Sequence, residues 1–226
     1  MHYTLNDGRI ISSENSALSS RQPNKIVIDY ISKLPNDILT LDLGCGKLRH
    51  SMQLYKKSRA MSLVDSSFQL EKVQQIFDEH TSVMEYVRDN LDRAVCFDIK
   101  KLEWINQEYD FVLCSNVLSA IPERSARLEL LRNIFKCLAN EGEALITTQF
   151  RNTYFSTYDS NPNAEKYLDG WILKHGTINT FYGIIQPEQL ITDCKESNLK
   201  VYSKKLKDGS VYLMVRKNEV ETSIGR

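Results

Sequence analysis

The residues best suited to chemistry begin at Asp42-Leu43-Gly44-Cys45-Gly46, where an apolar run enters two glycines separated by one residue. Glycine has no Cβ, so such a turn lets a ligand approach the backbone closely. Asp65 follows about 20 residues on, at the expected end of the next apolar run, where a carboxylate accepts hydrogen bonds from vicinal hydroxyls such as those of a ribose. Asp98 ends a third run and suits the amino edge of a purine. Ser115 and Asn116 close a fourth; the Asn116 amide can donate and accept hydrogen bonds but is no general base. Farther on, Arg151 offers an anchor for an anion, and Tyr154, Trp171 and Tyr182 offer rings with polar tips to wall a planar or polar ligand. His175, in the same stretch, has an imidazole suited to acid/base work near neutrality.

These side chains need a frame. From Asn24 to Leu34 the residues Ile26, Val27, Tyr30, Ile31 and Leu34 recur at helical spacing until Pro35. Apolar runs at 38–46, 59–67, 93–99, 110–119 and 143–150 predict strands, with helices over 48–57, 68–80 and 128–138 between them. In the 68–80 helix Leu70, Val73, Ile76 and Phe77 would face inward. A short helix over 187–197 then leads into alternating segments at 199–207 and 210–217, joined by the hairpin signal Asp208-Gly209. The pattern predicts an α/β architecture: a mostly parallel sheet with helices on both faces and a C-terminal antiparallel hairpin. Residues 1–23 lack a period and read as an arm or lid. Residues 24–226 form the main domain, with 151–185 as a substrate-facing insert rich in Tyr, Asn and Gly.

The 226 residues are 42% hydrophobic, and 29 basic side chains balance 29 acidic ones, which argues against nucleic-acid binding through bulk charge. The basic run Lys200, Lys204, Lys205 and Lys207 reads as a solvated strand edge. No apolar run of about 18 residues would span a bilayer, and the first residues lack a secretory signal, so the expected location is cytoplasmic and away from membrane. Five widely spaced cysteines without a CxxC or a Cys/His cluster predict core thiols and no metal site.

With D-L-G-C-G at 42–46, VDSS at 64–67, CFDI at 96–99, YDFVLCSNVLSAIP at 109–122 and the L-x-x-x-G-x-x-L pattern from Leu138 through Gly142 to Leu145, the chain resembles the class I S-adenosylmethionine-dependent methyltransferases. The resemblance implies their Rossmann-like sheet and S-adenosyl-L-methionine as cofactor. By it, Gly44 and Gly46 flank the methionine portion, Asp42 helps position the amino group, Asp65 holds the ribose and Asp98 lies at the adenine edge. Ser115 and Asn116 would face the reacting groups. The strings DLGCGKLRHS and LVDSSFQLEKVQQI also look like a bacterial subgroup found near DNA-modification and defence genes.

Two other readings use the same turn. A nicotinamide-dependent oxidoreductase would need a small residue at the third position of GxGxxG, where Arg49 stands. A noncatalytic protein could retain the cofactor pocket alone. The acceptor, small molecule or nucleic acid, stays open at this level, as does the oligomeric state. The segment after the fourth strand reads SNVL, without the [DN]PP[YF] signature of amino-directed DNA methyltransferases, and no Pro-Cys pair supplies a cytosine C5 nucleophile.

Overall fold

The computed structural model describes residues 2–5, 7–104, 106–151 and 155–218. The chain opens with β1 (His2–Thr4), β2 (Ile10–Ser12) and a 3-10 turn at Ser13–Ser16. Helix α1 (Lys25–Ser32) starts where the Asn24 side chain accepts from the amides of Ile26 and Val27. Strand β3 (Ile38–Leu43), α2 (Ser51–Tyr55) and β4 (Ser58–Asp65) carry the glycine turn and its second acid. Then come α3 (Ser67–Glu71), the hairpin of β5 (Gln74–Ile76) and β6 (Glu79–Thr81), α4 (Val83–Asn90) and β7 (Ala94–Asp98). Strand β8 (Tyr109–Ser115), α5 (Arg124–Cys137) and β9 (Leu138–Gln149) complete the parallel part. The insert folds as α6 (Phe155–Tyr158), β10 (Ala164–Tyr167), β11 (Gly170–His175) and β12 (Ile178–Gly183). Helix α7 (Pro187–Glu196), with Pro187 in its first turn, precedes β13 (Leu199–Lys207) and β14 (Ser210–Lys217).

The central sheet has seven strands in the order β13-β14-β9-β8-β3-β4-β7. Five run parallel, while β14 lies antiparallel to β9 and β13 antiparallel to β14, as the terminal hairpin predicted. Asp208 and Gly209 turn that hairpin at φ +52° and +71°. Strand order reverses between β3 and β8, and in such sheets ligands bind beyond the carboxyl ends at this switch point. One apolar layer, with Leu41, Leu43, Val112, Leu131 and Ile146, packs one face of the sheet; a second, with Val27, Ile31, Leu63, Phe111 and Leu145, packs the other. Cys45, Cys114, Cys137 and Cys194 are buried and Cys96 half-buried, all free thiols, with burial pushing Cys96 and Cys137 up to about 11.

The arm and the insert share a second sheet, β1-β2-β12-β11-β10, through the parallel pairing of Ile11 with Asn179. Leu5, Ile11, Ile172 and Phe181 form its core. Tyr167 donates to Glu123 at 3.0 Å and Arg127 to Asp169 at 2.6 Å, which fasten the β10–β11 end of the insert to α5.

The expected helix over 68–80 is corrected. It stops after Glu71, and the chain turns through Phe77 at φ +48° into the β5–β6 hairpin. Leu70 and Ile76 are buried as expected, but Val73 is exposed. Arm contacts decide this segment: Phe77 N–H donates to Ser20 Oγ at 2.9 Å, and Arg21 Nε donates to the Phe77 carbonyl at 3.0 Å. The helix of this crossover is instead α4, started by a reciprocal capping box between Ser82 and Glu85.

Candidate active site

The glycine turn is built by hydrogen bonds that leave its surface open. Gly44 and Cys45 N–H both donate to the Val64 carbonyl, at 2.7 and 3.1 Å, and Gln69 Nε2 donates to the Gly46 carbonyl at 2.8 Å. Gly44 and Gly46 have φ of +76° and +55°, where side chains are strained. A Cβ on Gly44 would overlap the Val117 side chain. Val117 thus packs against the turn too closely for a side chain at this position.

Asp65 ends β4 at the mouth of this turn. Its Oδ2 accepts from Gly46 N–H at 2.9 Å and its Oδ1 from Ser66 N–H at 2.8 Å, so the carboxylate is oriented by backbone while each oxygen keeps a lone pair. Burial raises its pKa, opposed by those two bonds. Asp42 is buried at the end of β3, its Oδ2 accepting from Ser51 Oγ at 2.6 Å. Burial pushes Asp42 up to about 7 against that hydrogen bond, with the Asp65 charge adding to the rise. Asp98 faces an adjoining cleft with Ser66, Ser67 and Ile99. Burial pushes its pKa up, but bonds from Ser67 Oγ and Lys100 N–H outweigh this and hold it below the usual carboxylate range.

Asp42, Gly44, Gly46, Asp65, Ser115 and Asn116 all line one cavity of about 480 Å³. Asn116 takes φ +61°, its N–H donates to the Thr147 carbonyl at 2.9 Å, and its buried Oδ1 has no hydrogen-bond partner among the described residues. Ser115 Oγ pairs with Thr147 Oγ1 at 3.0 Å.

Three groups of lining residues lay outside the sequence-based candidates. His50 is buried in the wall, and its Nε2 accepts from Asn24 N–H at 3.1 Å, which leaves the proton on Nδ1. Burial, with Arg49 adding, pushes it down to about 3, so the ring is neutral. Its position just past the glycine turn was the only sequence signal. Glu14 and Ala17 come from the arm, which crosses the cavity as a strap tied at one end by Ser13 Oγ to the Ala120 carbonyl (2.6 Å) and at the other by Ser20 and Arg21 to Phe77. Ser119, Gln149, Phe155, Tyr158 and Phe181 complete the wall on the insert side.

The predicted insert residues divide. Tyr182 lines the cavity, joined by Tyr158, their ring centroids 6.0 Å apart. Trp171 stands behind that surface, stacked on Phe155 at 5.5 Å, with its indole N–H donating to Asp159 at 3.1 Å. His175 is exposed at the β11–β12 turn, and Arg151 is exposed where its N–H meets the Gly209 carbonyl, so neither is brought to the cavity. Tyr154 lies outside the described residues. Among the described residues no group of three or more His, Cys, Asp or Glu side chains could hold a metal ion, and no helix is long and apolar enough to cross a membrane.

A family profile described as Methyltransferase domain matches residues 20–204. The chain belongs to this methyltransferase family. It is 33% identical over 215 residues to the Escherichia coli (strain K12) protein named Uncharacterized protein YmfD, covering 95% of this chain and 96% of that one. Among solved structures it is similar to an S-adenosylmethionine-dependent methyltransferase from Clostridium acetobutylicum ATCC 824, with TM-score 0.62, 16% identity and coverage of 91% of this chain and 94% of that one. It is also similar to the 1,6-didemethyltoxoflavin-N1-methyltransferase of Burkholderia thailandensis, whose structure holds 1,6-didemethyltoxoflavin and S-adenosylhomocysteine. There the TM-score is 0.57 and the identity 13%, over 92% of this chain and 79% of that one.

The residues of the site fit S-adenosyl-L-methionine. Gly44, Gly46 and Asp65 line one cavity, and the Asp65 carboxylate is aimed by two amides. Arg49, which blocks the dinucleotide reading, projects into the wall and donates its Nε–H to the Gln22 carbonyl at 2.6 Å.

Proposed function

We propose that this methyltransferase modifies a small molecule seated between Asn116 and the insert wall of Tyr158 and Tyr182. The observation that carries the reading is the single cavity that joins Asp42, Gly44, Gly46 and Asp65 to Asn116 and then to those rings. Bound S-adenosyl-L-methionine supplies a methyl carbon already activated by sulfonium, so that the new bond forms at carbon as the carbon–sulfur pair leaves on sulfur. Asp65 would hold the ribose hydroxyls, Asp42 and the turn the methionine end, with Asp98 at the adenine edge. Ser115 sits at the end of β8 on the cofactor side. Asn116 then orients the acceptor, and the strap of residues 13–20 excludes water. Alignment of this kind lowers a barrier by up to about 7 to 11 kcal/mol in ideal cases.

The arm of residues 1–23 and the insert of 151–185, joined through one sheet, act together as the acceptor-side cover of the main domain. Cover on both sides and a charge balance of 29 against 29 favour a small acceptor over a nucleic acid. The likeness to a bacterial subgroup near DNA-modification and defence genes speaks for the reaction and not for DNA. A cytoplasmic location belongs to the same reading.

The test is calorimetric binding of S-adenosylhomocysteine to the full chain. One equivalent binds, and Asp65→Ala weakens it at least tenfold with unchanged circular dichroism. A folded protein that does not bind it overturns the proposal. Binding without methylated product across a broad set of metabolites would favour the noncatalytic reading.

A further inference from the structure

Resting on that function, we infer that the acceptor is a flat, uncharged ring whose N–H is accepted by Asn116 Oδ1 against the Tyr158 and Tyr182 rings, and that the atom methylated is a second, unprotonated nitrogen of that ring. The chamber's own groups narrow the acceptor to this class. Among the described residues Asn116 Oδ1 is buried in the wall without a donor, and a buried acceptor left unpaired is costly, so the ligand that completes it brings an N–H or O–H. The insert side presents Phe155, Tyr158, Phe181 and Tyr182, and ring faces of this kind favour a flat, apolar partner.

Charge then removes the anionic acceptors. The lining cations, Lys47 and Arg49, both come from the segment after the glycine turn, at the methionine end. Among the described residues the insert side contributes none, and Arg151 is exposed away from the cavity. Glu14 and Asp65 add carboxylates to the rest of the wall, which opposes a carboxylate acceptor. A hydroxyl acceptor would have to lose its proton as it attacks, and the imidazoles do not serve. His50 Nε2 is already engaged by Asn24 N–H, and His175 lies at the hairpin tip. The unprotonated nitrogen of such a ring attacks the methyl carbon through its in-plane lone pair as the carbon–sulfur pair leaves on sulfur, and the proton on the other nitrogen passes to water afterwards.

Three flat bicyclic probes separate the possibilities: benzimidazole, 2-naphthol and 2-naphthoate, titrated into full-length protein saturated with S-adenosylhomocysteine. Benzimidazole is expected to bind at least tenfold more tightly than 2-naphthoate. Asn116→Gly, which also relieves the positive φ, is expected to weaken benzimidazole at least tenfold, while Asn116→Asp, which keeps an acceptor oxygen, retains it. With S-adenosyl-L-methionine present, mass spectrometry should find N-methylbenzimidazole and neither a naphthyl ether nor an ester. Equal binding of 2-naphthoate, ether or ester formation, unchanged benzimidazole affinity in Asn116→Gly, or no binding by any probe overturns the inference. So does a loss of S-adenosylhomocysteine affinity in Asn116→Gly, which would assign that side chain to the cofactor. Failure of the wild-type protein to bind S-adenosylhomocysteine at all overturns the function beneath it instead.

Discussion

The protonation of Asp42 should set the pH dependence of cofactor binding. An unfolded Asp loses its proton near 4, whereas burial keeps Asp42 protonated up to about 7. The native chain thus binds more protons between those values. The Asp42 contribution to the free protein's stability is therefore full below the window, falls as pH rises through it and is constant above it. If the Asp42 carboxylate positions the cofactor's ammonium group, binding requires that proton to leave. Affinity for S-adenosylhomocysteine should then drop about tenfold per pH unit below 7, or about thirtyfold between pH 8 and 5.5, with nearly one proton released per ligand at the lower pH. Asp65 is also raised by burial and would add its own slope through the ribose. Adenosine, which lacks the amino-acid tail, measures that slope alone, so the ratio of the two affinities isolates Asp42. Calorimetry in buffers of different ionisation enthalpy gives both affinity and proton count. Ser51→Ala, which removes the donor to Asp42, should move the midpoint upward. The reasoning fails if the ratio is flat from pH 5.5 to 8, or if Asp42→Asn keeps the slope.

The remaining predictions concern the frame. Gly44→Ala should weaken S-adenosylhomocysteine more than tenfold, because its Cβ strikes Val117 at a φ of +76°; Gly46→Ala, whose Cβ would lie an ordinary 3.5 Å from Ala17, should cost only about 1 kcal/mol of backbone strain. Calorimetry and thermal melts on the pair would show the difference. His50 should remain unprotonated from pH 8 to 5 in proton NMR, and the stability it contributes should be lost as pH falls from its unfolded value near 6.5 toward 3, a slope that His50→Gln flattens in acid denaturation. Asp169→Ala should destabilise the chain by about 3 kcal/mol in urea by leaving buried Arg127 without its anion, and adding Arg127→Met should recover much of that loss.

Local signals carried the parallel sheet. An apolar run ended by D-x-G-x-G needs no distant partner to be read, since glycine's freedom and the strand's double burial are properties of neighbours in sequence, and the acids at 65 and 98 follow because strand ends lie together in such a sheet. They fall in register, Asp65 opposite Asp98. The hairpin at Asp208-Gly209 was legible for the same reason.

Other features depended on contacts far along the chain. Leu70, Ile76 and Phe77 satisfy a helical period, but Ser20 and Arg21 hold Phe77 in a turn that no window of local sequence contains. Trp171 and Tyr182 sit opposite each other across β11 and β12, yet one ring is packed behind Phe155 while the other faces the cavity. The same strand pairing carries His175 out to a solvent-facing tip. Sequence by itself determined where the glycine turn and its acids would lie, because a turn and a strand-end carboxylate are local devices. Only the tertiary structure decided what closes over them, because Ile11 and Asn179 meet through long-range pairing and a ring's orientation follows the packing around it.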